Sequence, residues 1–122
     1  MKEQLILNGL DFSPEENLSR YLQSIKKYPI LTSVEEYELA LQYQKTKDRK
    51  IAYKLIPSHL RLVVKVVSKY RGYGLPVSEM ISEGNIGLMK AAEKFDVNKG
   101  CRFNTHATWW IRQTINRSLA HK

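Results

Sequence analysis

Cysteine is nearly absent from this 122-residue sequence: Cys101 stands alone, and the three histidines are scattered. A lone thiol excludes an internal disulfide framework, and no familiar zinc-ligand spacing, or other metal site, is present. Long apolar runs are missing as well. None approaches the ~18 residues a membrane helix needs, and nothing resembles a secretory leader, so a soluble, intracellular protein with no membrane partner is expected. There is no Walker loop, no GxGxxG after a strand, and no Ser/His/Asp or Cys/His grouping with supporting context. The expectation is therefore no enzyme, no cofactor and no small-molecule substrate. One absence is local. Residues 97–122 hold Lys99, Arg102, Arg112, Arg117 and Lys122 without a single Asp or Glu.

What is present has the balance of one globular domain, at 43% hydrophobic and 26% charged residues. Its net charge of +8 is unevenly spread. Residues 1–58 carry nine Lys/Arg and eight Asp/Glu; residues 59–122 carry eleven and four. A basic half on a near-neutral half points to a polyanion-binding surface built by the C-terminal segments.

Almost every segment has helical period and helical punctuation, which predicts an all-α, compact bundle of about six helices. Ser13-Pro14-Glu15-Glu16 starts a helix that should run to Tyr28, where Pro29 stops it. Thr32 with Glu35, or Ser33 with Glu36, forms a capping box for a second helix through about Lys47. A third covers about 48–56, and Pro57 breaks or kinks the chain before a fourth over 58–70. The turn Arg71-Gly72-Tyr73-Gly74-Leu75-Pro76 precedes a fifth helix over about 77–95. The sixth spans about 104–121, capped by Asn104 or Thr105. Residues 1–12 look poorly ordered; 13–56 and 57–122 read as two portions of one helical domain.

The helical angles show which faces are left over. In the fourth helix, Leu60, Leu62, Val63, Val64, Val66, Val67 and Tyr70 cover more than half the circumference, as in a central, buried helix. In the fifth, Met80, Ile81, Gly84, Leu88, Ala91, Ala92 and Phe95 form the core stripe. Gly84 and Gly87 then permit close helix–helix approach. Ile86 and Met89 lie off that stripe among Glu79, Ser82, Glu83 and Asn85. Two readings fit them: a partner-binding patch, or packing under a neighbouring segment. In the sixth helix Ala107, Ile111, Ile115 and Leu119 supply the buried stripe. Roughly opposite sit His106, Trp109, Trp110, Gln113, Asn116 and Arg117, following Lys99, Arg102 and Phe103. Aromatic plates, amides and cations on one face suit nucleic-acid bases pulled from a stack. The alternative is that both tryptophans belong to the core.

These segments carry a family resemblance. Ile81-Ser82-Glu83-Gly84-Asn85-Ile86-Gly87-Leu88-Met89-Lys90-Ala91, then Lys94-Phe95-Asp96, resembles the polymerase-binding helix of bacterial sigma factors of the sigma-70 type. Gly100 to Arg117, with Ala107-Thr108-Trp109-Trp110-Ile111-Arg112-Gln113, resembles that family's promoter-melting and −10-reading segments. Leu60-Arg61-Leu62-Val63-Val64 is similar to the start of region 2, and Tyr28-Pro29-Ile30-Leu31-Thr32 with Glu35-Glu36 to region 1.2. Arg71-Gly72-Tyr73-Gly74-Leu75-Pro76 looks most like the heat-shock branch.

The resemblance implies a cytoplasmic, non-enzymatic transcription initiation factor domain with two partners. One is the β′ clamp coiled coil of RNA polymerase core, met through Glu79, Ser82, Glu83, Asn85, Ile86 and Met89. The other is promoter DNA, on the non-template strand of the −10 element. Phe103, Thr105, His106, Trp109 and Trp110 fall where the family captures a flipped adenine. Gln113 and Asn116 fall where it reads the upstream −10 base pair, Arg117 where it meets phosphate, and Lys99 and Arg102 in the basic approach. A domain that binds polymerase without reading DNA is the alternative. Four positions depart from the family pattern: Ser82 stands for a usual glutamine, His106 for a tyrosine and Cys101 for an aromatic, and Pro57 interrupts an often continuous helix. The family normally continues into domains that read the −35 element, and these are expected to be absent here.

Overall fold

The computed structural model describes residues 18–70 and 72–121. The predicted start at Ser13-Pro14 and the expectation for residues 1–12 lie outside them. Six α-helices and three short 3-10 turns make up the described chain, with no strand among the described residues. The helices are α1 (Leu18–Ile25), α2 (Ser33–Thr46), α3 (Arg49–Leu55), α4 (Leu60–Val67), α5 (Val77–Lys94) and α6 (Phe103–Ala120).

Local chemistry explains most of the boundaries. The α1 helix ends in tight turns, Lys26 N–H to Gln23, Lys27 to Ser24 and Tyr28 to Ile25, before Pro29 bars continuation. Of the two possible capping boxes for α2, Thr32 and Glu35 form it: Glu35 N–H donates to Thr32 Oγ1 at 3.1 Å and Thr32 N–H to Glu35 Oε1 at 2.9 Å. Lys47 closes that helix in the left-handed region at φ 54°, and its Nζ donates to the Glu93 carbonyl at 2.7 Å. Asp48 caps α3 through Lys50 N–H. Pro57 heads the 3-10 turn Pro57–His59, so the chain kinks there, as predicted, before α4.

One boundary departs from the sequence expectation. The α6 helix starts at Phe103, with Arg102 as an N-cap that makes no side-chain capping bond; neither Asn104 nor Thr105 caps it. Tertiary packing fixes this start. The Phe103 ring lies edge-on to His59 at 4.9 Å and to Phe95 at 5.4 Å, and burying an aromatic outweighs the ~1 kcal/mol of a cap.

The centre of the bundle is the α5–α6 pair, with α4 packed on both. All seven predicted stripe residues of α5 are buried, as are Ala107, Ile111 and Ile115 of α6. Gly84 and Gly87 do allow the close approach. A Cβ on Gly87 would lie 2.6 Å from both the Trp110 carbonyl oxygen and Thr114 Oγ1, and 2.9 Å from Ile111 Cα. A Cβ on Gly84 would meet the Val63 Cγ1 methyl at 2.6 Å and Ile111 Cγ2 at 3.2 Å, atoms at the ends of side chains.

Backbone cannot rotate away and methyl groups can, so the two glycines should respond differently. Gly87→Ala is expected to lower the unfolding free energy by about 1–3 kcal/mol, overpacking outweighing the ~1 kcal/mol helix-propensity gain. Gly84→Ala should cost less. Urea unfolding of both variants checks the order, and equal or reversed costs would show that the α5–α6 spacing is not fixed at Gly87.

Candidate nucleic-acid and partner interfaces

The face opposite the buried stripe of α6 is open. Trp109 is 57% exposed, Trp110 is half-buried, and the two rings stand perpendicular, 5.4 Å apart at 86°. Adjacent tryptophans on a helix point about 100° apart, so one reaches solvent while the other leans on the core. Thr105, Gln113, Asn116 and Arg117 are exposed on the same helix, and Lys99 and Arg102 precede it, also exposed.

Half-buried His106 sits beneath this surface, its ring 5.2 Å from Phe95 and 6.5 Å from Trp110. Burial pulls its imidazole below the ordinary 6.5, while a bond to the Ala91 carbonyl works the other way. The neutral ring therefore donates from Nε2 to that carbonyl, at 3.1 Å.

Phe103 does not belong to the surface. It is 1% exposed and fills the core, so the expected place of Phe103 on the base-facing surface is corrected to a buried one. The leftover face of α5 is likewise smaller than predicted. Met89 and Asn85 are each 1% exposed. Asn85 Nδ2 donates to the Tyr21 hydroxyl of α1 at 3.0 Å, and its Oδ1 is buried without a hydrogen-bond partner among the described residues. For Met89 the packing reading holds, because neighbouring elements cover the positions at which helical angles alone left a gap. Glu79 is exposed, and Ser82, Glu83 and Ile86 are half-buried.

The start of α6 is tied to α2 by a buried carboxylate. Glu36 Oε1 accepts from His59 Nε2 at 2.9 Å, and its Oε2 accepts from Arg102 Nε and Nη2 at 3.3 and 3.2 Å. His59 Nδ1 faces the Leu55 carbonyl at 2.9 Å. Ser58 Oγ also lies 3.1 Å from Nδ1, so both ring nitrogens face oxygen atoms. A cleft of about 280 Å³ opens beside this group, its lining including His59, Arg61, Lys65, Arg102 and Asn104. The Arg61 guanidinium donates from Nη2 to the Lys26 and Tyr28 carbonyls, both at 2.7 Å, and its Nη1 is buried with no hydrogen-bond partner among the described residues. Sequence reasoning did not single out Arg61 and Lys65, which line this cleft. Their signal was two cations on an otherwise apolar helix.

A helical bundle with an aromatic, basic face and close-packed α5–α6 glycines defines a class. The chain belongs to the sigma-70 family: "Sigma-70 region 2" matches residues 55–122, and "Sigma-70 factor, region 1.2" matches residues 17–49. It is 52% identical over 116 residues to RNA polymerase sigma factor RpoH of Caulobacter vibrioides, covering 94% of this chain and 39% of that protein. It is 54% identical over 105 residues to RpoH of Zymomonas mobilis, covering 86% and 35%. To sigma factor SigA of Clostridium acetobutylicum it is 47% identical over 106 residues, covering 87% and 28%. These RpoH relatives support the expected likeness to the heat-shock branch. The chain spans well under half the length of the relatives it matches.

Two measurements check the site. Trp109→Ala should change unfolding free energy by no more than about 0.5 kcal/mol, as at an open surface position, whereas Phe103→Ala should cost about 3–5 kcal/mol; similar losses in urea titrations would contradict the division between surface and core rings. For His106, the folded state binds fewer protons than the unfolded chain between its lowered value and 6.5. Its contribution is therefore complete above 6.5 and lost on acidification. His106→Gln should flatten the pH dependence of stability below that point. An unchanged slope would mean that His106 titrates normally.

Proposed function

We propose that the chain acts in transcription initiation in the bacterial cytoplasm, docking on the β′ clamp coiled coil of RNA polymerase and capturing non-template bases of the promoter −10 element. The single observation that carries the DNA half is exposed Trp109 standing against half-buried Trp110, on a helix that also presents Gln113, Asn116 and Arg117. Aromatic stacking supplies about 1–3 kcal/mol per base, which offsets the few kcal/mol of unstacking without ATP. In this reading Trp109, Trp110, His106 and Thr105 hold the flipped adenine. Gln113 and Asn116 read the upstream base pair, and Lys99, Arg102 and Arg117 hold phosphates. The basic cleft at the start of α6 extends that surface through Arg61 and Lys65.

Glu79, Ser82 and Glu83, with the open part of Ile86, form the polymerase-facing edge of α5. Asn85 and Met89 support it from inside. Two carboxylates on one helical edge favour a basic counterpart on the clamp.

Binding of the chain, together with the clamp coiled coil, to a single-stranded −10 non-template oligonucleotide tests the DNA half. Replacing the flipped adenine should weaken binding by more than about 1 kcal/mol, and equal affinity would reduce the protein to a polymerase-binding domain that does not read promoters. For the docking half, Glu79→Lys with Glu83→Lys should abolish capture by the clamp. Recovery of the double variant at wild-type levels in a pull-down would move the docking surface elsewhere.

A further inference from the structure

A groove of about 420 Å³ lies between α2, α3 and the link around Tyr28 and Pro29, and neither interface above uses it. Leu31, Leu39 and the rings of Tyr28 and Tyr53 supply its apolar lining, with Tyr53 43% exposed. The groove meets the basic cleft only at Leu31 and Ser58. It contains none of the residues given to bases, phosphates or the clamp.

Its polar groups are of two kinds. Glu35 and Glu38 bring two carboxylates from one turn of α2, on a chain whose net charge is +8. Glu35 Oε1 holds the α2 cap, and Glu38 has no ion-pair partner among the described residues. Gln42 of α2 and Lys54 of α3 add N–H donors. The carboxylates call for a cation, and the apolar lining for an aliphatic or aromatic side chain. The donors call for acceptors, which an extended backbone presents and a helix spends internally. An extended peptide of alternating basic and apolar residues meets all three demands at once.

Charge also narrows the source of that peptide. Residues 1–17 of this chain carry Lys2 against Glu3, Asp11, Glu15 and Glu16, the same sign as the groove carboxylates. A second copy brings a further +8, so two chains repel one another at long range. A basic segment of a different protein is drawn to this groove and repelled by most of the remaining surface.

We propose that the groove between α2 and α3 docks an extended segment of a separate protein, in which basic and apolar residues alternate, while the DNA and polymerase surfaces stay open. Docking of such a segment depends on neither half of the function proposed above.

Fluorescence anisotropy with the full chain and three labelled peptides of equal length tests this. Leucine alternates with arginine in the first, leucine with glutamine in the second, and glycine with arginine in the third. The first should bind at least about fivefold more tightly than either of the others, each of which lacks one half of the recognition. Glu38→Lys and Tyr53→Ala, both at exposed positions, should each weaken its binding by about threefold to tenfold. Glu79→Lys with Glu83→Lys, which reverses the acidic edge of α5, should leave peptide affinity within about twofold, because screening confines charge effects to their surroundings. Adding the clamp coiled coil should change it as little. Equal binding of the glycine–arginine peptide, or indifference to Glu38→Lys, would reduce the groove to a nonspecific acidic patch and overturn the inference. Loss of the peptide in the clamp complex would give the groove to polymerase. A chain that sediments as a dimer, and that Glu38→Lys returns to a monomer, would give it to a second copy. Either result overturns the inference as well.

Discussion

The backbone contact between α5 and α6 at Gly87 is the constraint on which the remaining geometry depends. Two helices pack 8–10 Å apart when ordinary side chains separate them, and closer when one surface has no Cβ. Gly87 faces the Trp110 carbonyl and Ile111 Cα directly, which fixes both the distance and the register of the pair. Register has a functional consequence. Once the Ala107–Ile111–Ile115 row is locked against α5, Trp109, Gln113 and Asn116 have nowhere to face but outward. The exposed aromatic therefore costs little in this fold, because its helix is already fully employed on the other side.

A second device aligns the beginning of α6. Glu36 is buried on α2 yet serves a histidine at the start of α4 and an arginine at the start of α6. A carboxylate in the interior is tolerable only with charged or strongly hydrogen-bonded partners, and here each of its oxygens has one. From His59 a continuous series of ring contacts runs through Phe103, Phe95 and His106 to Trp110 and Trp109. The region 1.2 portion is thus mechanically joined to the aromatic face by close packing. Arg102 takes part in both halves, half satisfied by Glu36 and half exposed at the rim of the basic cleft.

Much of this was legible from local pattern. Thr32 and Glu35 sit at the capping-box spacing, Asp48 precedes a helix, Pro57 forces a kink, and the apolar stripes of α5 and α6 repeat at helical period. Each is a property of neighbouring residues. The misreadings share a different character. The resemblance implies surface contacts for Phe103 and Met89, and helical angles, which give a direction relative to the helix's own axis, say nothing of what else packs there. Asn85 is covered by an interaction with Tyr21, 64 residues away. The start of α6 was shifted by a ring seeking the core, an effect larger than any capping preference.

By itself the sequence determined the helical class, most helix ends, the two core stripes and the family, since these follow from short-range sterics, periodicity and motif spacing. Only the tertiary structure decided which of the aromatic and amide side chains remain open. It placed Trp109 in solvent and Phe103 in the core, set Glu36 between His59 and Arg102, and brought Tyr70 to Asn116. Those outcomes depend on how helices distant in sequence share one interior. Exposure is what remains after that sharing is complete, and no single helix carries enough information to fix it.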